Sequence, residues 1–126
     1  MTREGPLWFA GSGKFAARCL TALADELTFS RVVTALPKPA GRGLAERGTP
    51  VDGTAEELGI PVFRTGDINS DEAILGSFRE EKPFCFFVVD FSQIIGEPFL
   101  SMPEPGCLNI HPSLLPEYRG AAPIQR

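Results

Sequence analysis

The fold is decided by a stretch near the amino terminus, Leu7-Trp8-Phe9-Ala10-Gly11-Ser12-Gly13-Lys14. A short apolar run there ends at a glycine, which is typical of a strand followed by a tight turn. From residue 14 to about residue 27, apolar side chains recur with the spacing of an amphipathic helix. The stretch therefore predicts the first strand, turn and helix of a βαβ unit.

The same alternation of short apolar runs and amphipathic stretches continues outward along the chain. It predicts further strands at residues 31–36, 61–64, 84–89 and 107–110. Helices are predicted at residues 51–58, ending at Gly59, and from Asn69 or Ser70 to about residue 81, with Glu72 completing a capping box. A turn or short helix is expected at residues 97–102. This pattern predicts an α/β fold with a mostly parallel sheet of about five strands.

Parallel sheets bind ligands outside the carboxyl ends of their strands, near the point where the strand order reverses. Three segments follow predicted strands in this sequence: residues 11–13, residues 90–93 and the chain from His111 onward. We expect these segments to converge at one edge of the sheet.

Length and charge limit the classes of function. The chain has 126 residues, which is enough for one domain, and a formal net charge of −4, which argues against an extensive nucleic-acid surface. A local exception lies between residues 37 and 50, which contain three basic residues, Lys38, Arg42 and Arg47, and one acid, Glu46. Composition alone favours a solvated loop there. No apolar run approaches the roughly 20 residues of a membrane span, and no signal peptide is recognisable, so we expect a cytoplasmic protein without membrane contact.

Cysteine and histidine usage argues against disulfides and structural zinc. Cys19, Cys85 and Cys107 are odd in number and lie among apolar neighbours, so we interpret them as reduced core residues. The chain has one histidine and no Cys-x-x-Cys pair, and we therefore predict no structural metal.

The glycine turn could also belong to a nucleotide site. A phosphate-binding Walker loop is excluded, because Trp8 and Phe15 stand where it requires a glycine and a hydroxyl. A dinucleotide fingerprint is satisfied by Gly11, Gly13 and Ala16. No acid at the end of the second strand would hold a ribose, although Lys38 or Arg42 would suit an NADP phosphate. A tight turn with close helix–strand packing explains the glycines equally well.

The richest chemistry lies in residues 109–120. Asn109 and His111 are two residues apart on a predicted strand, so their side chains project from the same face. A carboxamide and an imidazole side by side can stabilise an oxyanion and exchange protons with an amine. A core histidine and a turn asparagine are the structural alternative. That alternative is weakened because the pair ends a strand and precedes a stiff, polar loop.

These residues carry a family resemblance. The segment Asn109-x-His111-Pro112-Ser113-Leu114-Leu115-Pro116 resembles the active-site signature of the 10-formyltetrahydrofolate-dependent formyltransferases. The continuation at residues 118–125 is similar to the methionyl-tRNA branch, as are residues 9–11 and residues 38–43. The resemblance implies a Rossmann-like formyltransferase fold, a three-layer sandwich of which residues 1–126 form the N-terminal portion of the catalytic domain.

The resemblance also implies roles for individual residues. It makes Asn109 and His111 two members of a catalytic Asn-His-Asp set. The residues that it places along the folate site are Ser113, Leu114, Leu115 and Pro116. Those that it places beside the pterin are Phe91, Gln93 and Ile94. The basic loop with Lys38 and Arg42 would approach the tRNA acceptor stem. Asp90 and Ser92 depart from the small residues expected there, and we expect the Asp90 carboxylate to cap the loop.

The reaction implied by the resemblance is attack of the α-amine of initiator methionyl-tRNA on the formyl group of 10-formyltetrahydrofolate, without a metal. The third catalytic residue, the rest of the catalytic domain and a C-terminal β-barrel would lie beyond Arg126. We therefore expect a chain of this extent to be inactive by itself and to self-associate. Three alternatives remain open: a formyltransferase acting on a sugar nucleotide or small amine, a non-catalytic folate- or RNA-binding module, and an NADP-binding domain.

Overall fold

The computed structural model describes residues 5–39, 46–103 and 106–110. In chain order, its strands and helices are β1 (Leu7–Gly11), α1 (Lys14–Ala24), β2 (Phe29–Ala35), β3 (Lys38–Pro39), β4 (Glu46–Arg47), α2 (Pro50–Leu58), β5 (Val62–Thr65), α3 (Glu72–Glu81), β6 (Cys85–Val89) and β7 (Cys107–Ile110). A short 3-10 turn, Ile68–Ser70, precedes α3.

Five of the strands form one parallel sheet in the order β5-β2-β1-β6-β7. The predicted α/β fold with a parallel sheet of about five strands is confirmed. The order runs outward in both directions from β1, so it reverses between β1 and β6. In sheets of this kind, that reversal opens a crevice at the carboxyl ends of the two strands.

The sheet separates two apolar cores, because consecutive side chains of a strand point to opposite faces. Trp8 packs with α3 residues such as Phe78 on one face, and Phe9 packs with α1 and α2 on the other. Both aromatic side chains are fully buried. This three-layer arrangement matches the predicted sandwich and explains why the opening strand is apolar at every position.

Capping side chains set the helix boundaries. Thr49 caps α2 by accepting a hydrogen bond from Asp52 N at 3.1 Å, and Gly59 ends that helix in the left-handed conformation, as predicted. The predicted start of α3 at Asn69 or Ser70 is wrong. The Asp71 side chain accepts a hydrogen bond from the Ile74 amide at 3.3 Å and caps a helix that begins at Glu72. An upstream aspartate, Asp67, caps the separate 3-10 turn.

Two features of the connections were not expected from the sequence. The loop after β2 contains the antiparallel pair β3 and β4, in which Lys38 lies opposite Arg47. Arg64 of β5 forms a two-point ion pair with Asp52 of α2, with Nε–Oδ2 at 2.6 Å and Nη2–Oδ1 at 2.9 Å. This pair joins α2 to the outer strand.

The segment at residues 97–102, where a turn or short helix was predicted, forms a turn around the buried Phe99.

Candidate active site

The candidate site lies at the reversal of strand order, where β1 and β6 end side by side. The Ser12 amide donates a hydrogen bond to the Asp90 carbonyl at 3.1 Å, and the Asp90 amide donates to the Ile110 carbonyl at 3.2 Å. Asp90 therefore connects the turn after β1 with the end of β7. The structure confirms that the segments beginning at residues 11 and 90 meet at this edge, whereas the third, from His111 onward, lies outside the described residues.

Asp90 occupies an unusual position at this edge. Its backbone is left-handed, with φ of 49°, a conformation that aspartate tolerates better than most residues. Its carboxylate lies against Gly13, where an added Cβ atom would overlap Oδ2. Gly13 is the N-cap of α1, a helix with no acidic residue in its first turn and no side-chain cap. A negative charge at a helix N-terminus is stabilising, so the Asp90 carboxylate complements the α1 dipole.

The glycines of the first turn are explained by packing. A Cβ atom at Gly11 would lie 2.6 Å from the Ala16 Cβ and 2.6 Å from the Val89 carbonyl oxygen. Gly11 and Ala16 therefore allow α1 to approach the sheet closely. A dinucleotide would place its pyrophosphate at the same helix N-terminus, beside the Asp90 carboxylate, where the like charges repel. The geometry favours close packing over the NADP-binding alternative.

Asn109 is the described member of the predicted catalytic pair. It lies on β7 opposite Val88 of β6, and its side chain is exposed. The next residue, Ile110, accepts the hydrogen bond from the Asp90 amide, so Asn109 lies next to β6, one strand away from the reversal between β1 and β6. The other catalytic and folate-site candidates fall outside the described residues: His111, Ser113, Leu114, Leu115 and Pro116. Their roles stay predictions.

The loop after β6 contains the three residues predicted to flank the pterin. Phe91 is half-buried and packs against the core on the Trp8 face, whereas Ile94 is 85% exposed. The Gln93 side chain bonds to the backbone instead of facing solvent freely. Its Nε2 donates to the Thr65 carbonyl at 2.8 Å, and its Oε1 accepts from the Ile68 amide at 2.8 Å. Ile94 is thus the apolar side chain of this loop that is most exposed to solvent, and its predicted place beside the pterin stays a prediction.

Asn69 also holds this loop, although no sequence pattern predicted that it belongs to the candidate site. Its Nδ2 donates to the Ile94 carbonyl at 2.7 Å, and its Oδ1 accepts from the Gly96 amide at 2.8 Å. The run Asp67-Ile68-Asn69-Ser70 is rich in turn-forming residues, which could have predicted the local turn. That signal carries no information about a partner 25 residues further along the chain.

The basic loop is described only in part. Lys38 is exposed on β3, just beyond the carboxyl end of β2, and therefore lies near the edge formed by the carboxyl ends of the strands. Arg42 falls outside the described residues. The predicted contact with a tRNA acceptor stem is not tested by these positions and stays a prediction.

The three cysteines are free, but each is half-buried and none belongs to the fully buried cores in which they were predicted. Burial raises the pKa of the Cys19 and Cys85 thiols, and burial together with the neighbouring Cys85 raises the pKa of Cys107 to about 11. The thiolate is the reactive species. We expect Cys107 at pH 8 to react with iodoacetamide at least roughly tenfold more slowly than a free cysteine, a rate measurable by mass spectrometry.

A raised thiol pKa also has a defined effect on stability. The folded protein holds the Cys107 proton more tightly than the unfolded chain does, so the free energy of unfolding falls as pH rises from about 9 toward 11. A Cys107→Ala variant should lose that part of the alkaline slope. An unchanged slope, or Cys107 alkylation as fast as in denaturant, would contradict the assigned burial.

Across residues 5–39, 46–103 and 106–110, no three His, Cys, Asp or Glu side chains are grouped so that they could hold a metal ion. Of the helices in this part of the chain, none has the length and apolar character needed to cross a membrane.

The five-stranded parallel sheet, packed on both faces and reversing its strand order between β1 and β6, defines a Rossmann-like domain, a class of fold that binds ligands at the carboxyl ends of its strands. The chain belongs to the formyl transferase family, whose model matches residues 7–126. The family predicted from the segment at residues 109–116 is confirmed.

Similar proteins of known name are methionyl-tRNA formyltransferases. That of Thermotoga neapolitana is 44% identical over 119 residues, which cover 94% of this chain and 38% of the relative. That of Cereibacter sphaeroides is 44% identical over 123 residues, covering 94% and 39%. The chain therefore spans less than two-fifths of the length of these relatives.

Solved structures with the same fold include two enzymes that formylate a glycinamide ribonucleotide, as their names state. The phosphoribosylglycinamide formyltransferase of Streptococcus pneumoniae superposes with a TM-score of 0.61 at 20% identity, covering 90% of this chain and 60% of that one. The glycinamide ribonucleotide transformylase 1 of Geobacillus kaustophilus gives 0.58 at 23% identity, covering 90% and 61%. At this identity the likeness supports the Rossmann-like fold.

Proposed function

We propose that the intact protein transfers the formyl group of 10-formyltetrahydrofolate to the α-amino group of initiator methionyl-tRNA in the cytoplasm. In this proposal, residues 1–126 are the N-terminal portion of the catalytic domain. The proposal is supported by the family match and by 44% identity to methionyl-tRNA formyltransferases over 94% of the chain.

The observation that carries the proposal is the position of Asn109. Its carboxamide is exposed at the carboxyl end of β7, and the hydrogen bond between Asp90 and Ile110 fixes the strand next to the crevice. A carboxamide N–H held in place can donate to an oxygen that becomes negatively charged, and such donors lower the barrier of acyl transfer. Asn109 therefore suits a reaction that passes through a tetrahedral oxyanion.

The proposed reaction has three steps. The neutral α-amine of methionyl-tRNA attacks the formyl carbon, which forms a nitrogen–carbon bond and turns the formyl oxygen into an oxyanion. Asn109 and His111 donate hydrogen bonds to that oxygen. The bond from the formyl carbon to the folate nitrogen then breaks, and His111 carries the amine proton to the departing tetrahydrofolate. No metal ion takes part.

Substrate binding is proposed on the same edge of the sheet. The folate would lie between Ser113–Pro116 and the loop with Phe91, Gln93 and Ile94, and its flat pterin suits the exposed apolar surface of Ile94. Lys38 and Arg42 would meet the phosphates of the acceptor stem. The exposure of Lys38 just beyond β2 supports this placement, since a phosphate contact needs a solvent-accessible cation.

An acceptor comparison tests the proposal. With 10-formyltetrahydrofolate as donor, we expect the intact protein to formylate methionyl-tRNA with a kcat/KM at least roughly 100-fold above that for glycinamide ribonucleotide or an amino-sugar nucleotide. A chelator should leave the rate unchanged.

The other outcomes separate the alternatives. Preference for a sugar nucleotide or small amine would contradict the tRNA acceptor but keep the formyl-transfer chemistry. Binding of a folate analogue or RNA without transfer to any acceptor would instead favour a non-catalytic module. A fluorescence titration with NADPH that saturates would restore the dinucleotide interpretation.

A further inference from the structure

Two carboxamide side chains hold residues 91–96, which we call the β6 loop. Gln93 belongs to the loop and reaches back to the segment after β5, where it bonds to Thr65 O and Ile68 N, both at 2.8 Å. Asn69 belongs to that segment and reaches into the loop, where it bonds to Ile94 O at 2.7 Å and Gly96 N at 2.8 Å. One side chain therefore reaches from the β6 loop to the segment after β5, and the other reaches from that segment to the loop.

Each carboxamide bonds to the backbone through both its nitrogen and its oxygen. The four bonds satisfy two carbonyl and two amide groups in a region without strand pairing, where those groups would otherwise depend on water. Gly96 suits this contact, because a Cβ atom there would lie 3.2 Å from the Asn69 Oδ1. The loop is therefore tied to the β5–α3 connection by side chains instead of by a sheet ladder.

Apolar packing against the core also holds the β6 loop. Phe91 and Ile95 pack into the core on the Trp8 face, and Ile95 is only 9% exposed. Ile94, between them, is 85% exposed. The loop thus exposes one apolar side chain between two residues that pack into the core, and the Ile94 carbonyl is the atom to which Asn69 donates.

We propose that Asn69 and Gln93 are positioning residues that hold the β6 loop in its donor-binding conformation before the formyl donor arrives. The proposal rests on the proposed function, since it assumes that the loop contacts the donor. It assigns the connection between β5 and α3 to the site, and it gives Gln93 a role through the backbone instead of direct ligand contact. In this proposal the β6 loop forms one wall of the donor site.

A loop that is ordered before the donor binds has a measurable effect on the apparent affinity for the donor. If the loop is released, only a fraction of the protein holds the binding conformation, and the apparent affinity falls by that fraction while the bound state is unchanged. Losing two hydrogen bonds to one carboxamide should raise the KM for the donor roughly tenfold. The kcat and the KM for methionyl-tRNA should stay within about twofold, because the reacting groups and acceptor surface are unaltered.

The test uses the intact protein and the variants Asn69→Ala, Gln93→Leu and their combination. The matched control is Ser70→Ala, which removes a 2.9 Å bond from Ser70 Oγ to Asp67 Oδ2 within the same turn and does not contact the β6 loop. Donor KM, acceptor KM and kcat are measured for each protein. Amide hydrogen exchange at Ile68 and Gly96, the two amides that donate to the carboxamide oxygens, is measured in parallel.

We expect Gly96 to exchange faster in Asn69→Ala, Ile68 to exchange faster in Gln93→Leu, and both variants to show the raised donor KM, with Ser70→Ala unchanged. The combined variant should show less than the product of the single effects, because both residues hold one loop. Faster exchange with an unchanged donor KM would overturn the proposal, as would unchanged exchange. A wild-type protein that binds no tetrahydrofolate analogue would refute the proposed function itself, before any variant is compared.

Discussion

Replacing Asn109 by alanine should lower kcat for the proposed formyl transfer by about 10²–10³-fold, the loss typical of one oxyanion donor. The Asn109 side chain is exposed, and the pairing of β7 with β6 uses its backbone, so the strand should stay in place. The loss should fall mainly on kcat, because the hydrogen bond strengthens as charge develops in the transition state. Steady-state kinetics with saturating donor and acceptor measure it.

Two companion variants make this result specific. Leu108→Ala changes the neighbouring residue of β7, which is 46% exposed and points to the opposite face, and it should leave kcat within about twofold. Asn109→Asp keeps the size of the side chain but replaces the donor with an acceptor, so it should be at least as slow as the alanine variant. Full activity in Asn109→Ala would refute the oxyanion role. An equal loss in Leu108→Ala would mean that β7 itself had moved.

The strands could be predicted because a strand that is buried on both faces is a continuous apolar run in the sequence. The opening strand is apolar at every position since Trp8 and Phe9 enter different cores, and the run at residues 85–89 follows the same rule in β6. Parallel pairing then follows from the helices between the strands. The start of α3 could not be predicted in this way, because Asp67, Asn69, Ser70 and Asp71 all suit a cap and the local sequence does not choose among them.

The site was predictable where it depends on strand ends and unpredictable where it depends on contacts between distant segments. Asn109 was expected at the carboxyl end of β7, where it lies. Asp90 was expected to cap the loop, and its carboxylate in fact lies at the N-terminus of α1, beside Gly13. The pairing of Asn69 with the β6 loop joins residues 25 apart, and neither turn has a periodic pattern that indicates its partner.

Gly11→Ala should lower the free energy of unfolding by about 3 kcal/mol, near the upper end of overpacking effects. The added methyl group would lie 2.6 Å from the Ala16 Cβ, 2.6 Å from the Val89 carbonyl oxygen and 3.1 Å from the ring of Phe9. The packing of α1 holds Ala16, and the hydrogen bonds of β6 hold the Val89 carbonyl, so displacing either one costs free energy. Urea denaturation of the intact protein, followed by circular dichroism, gives the change.

The matched control is Gly53→Ala, which should raise the free energy of unfolding instead of lowering it. Gly53 is an exposed position in α2 with no heavy atom within 4 Å of an added Cβ, so the better helix propensity of alanine should stabilise the protein by about 0.5–1 kcal/mol. The double variant Gly11→Ala with Ala16→Gly should recover only part of the loss, because the clash with the Val89 carbonyl remains and a glycine within α1 costs helix stability. Full recovery would mean that α1 alone sets the space at Gly11. A neutral Gly11→Ala would refute the packing explanation of the glycine turn, and with it the reason given for setting the dinucleotide motif aside.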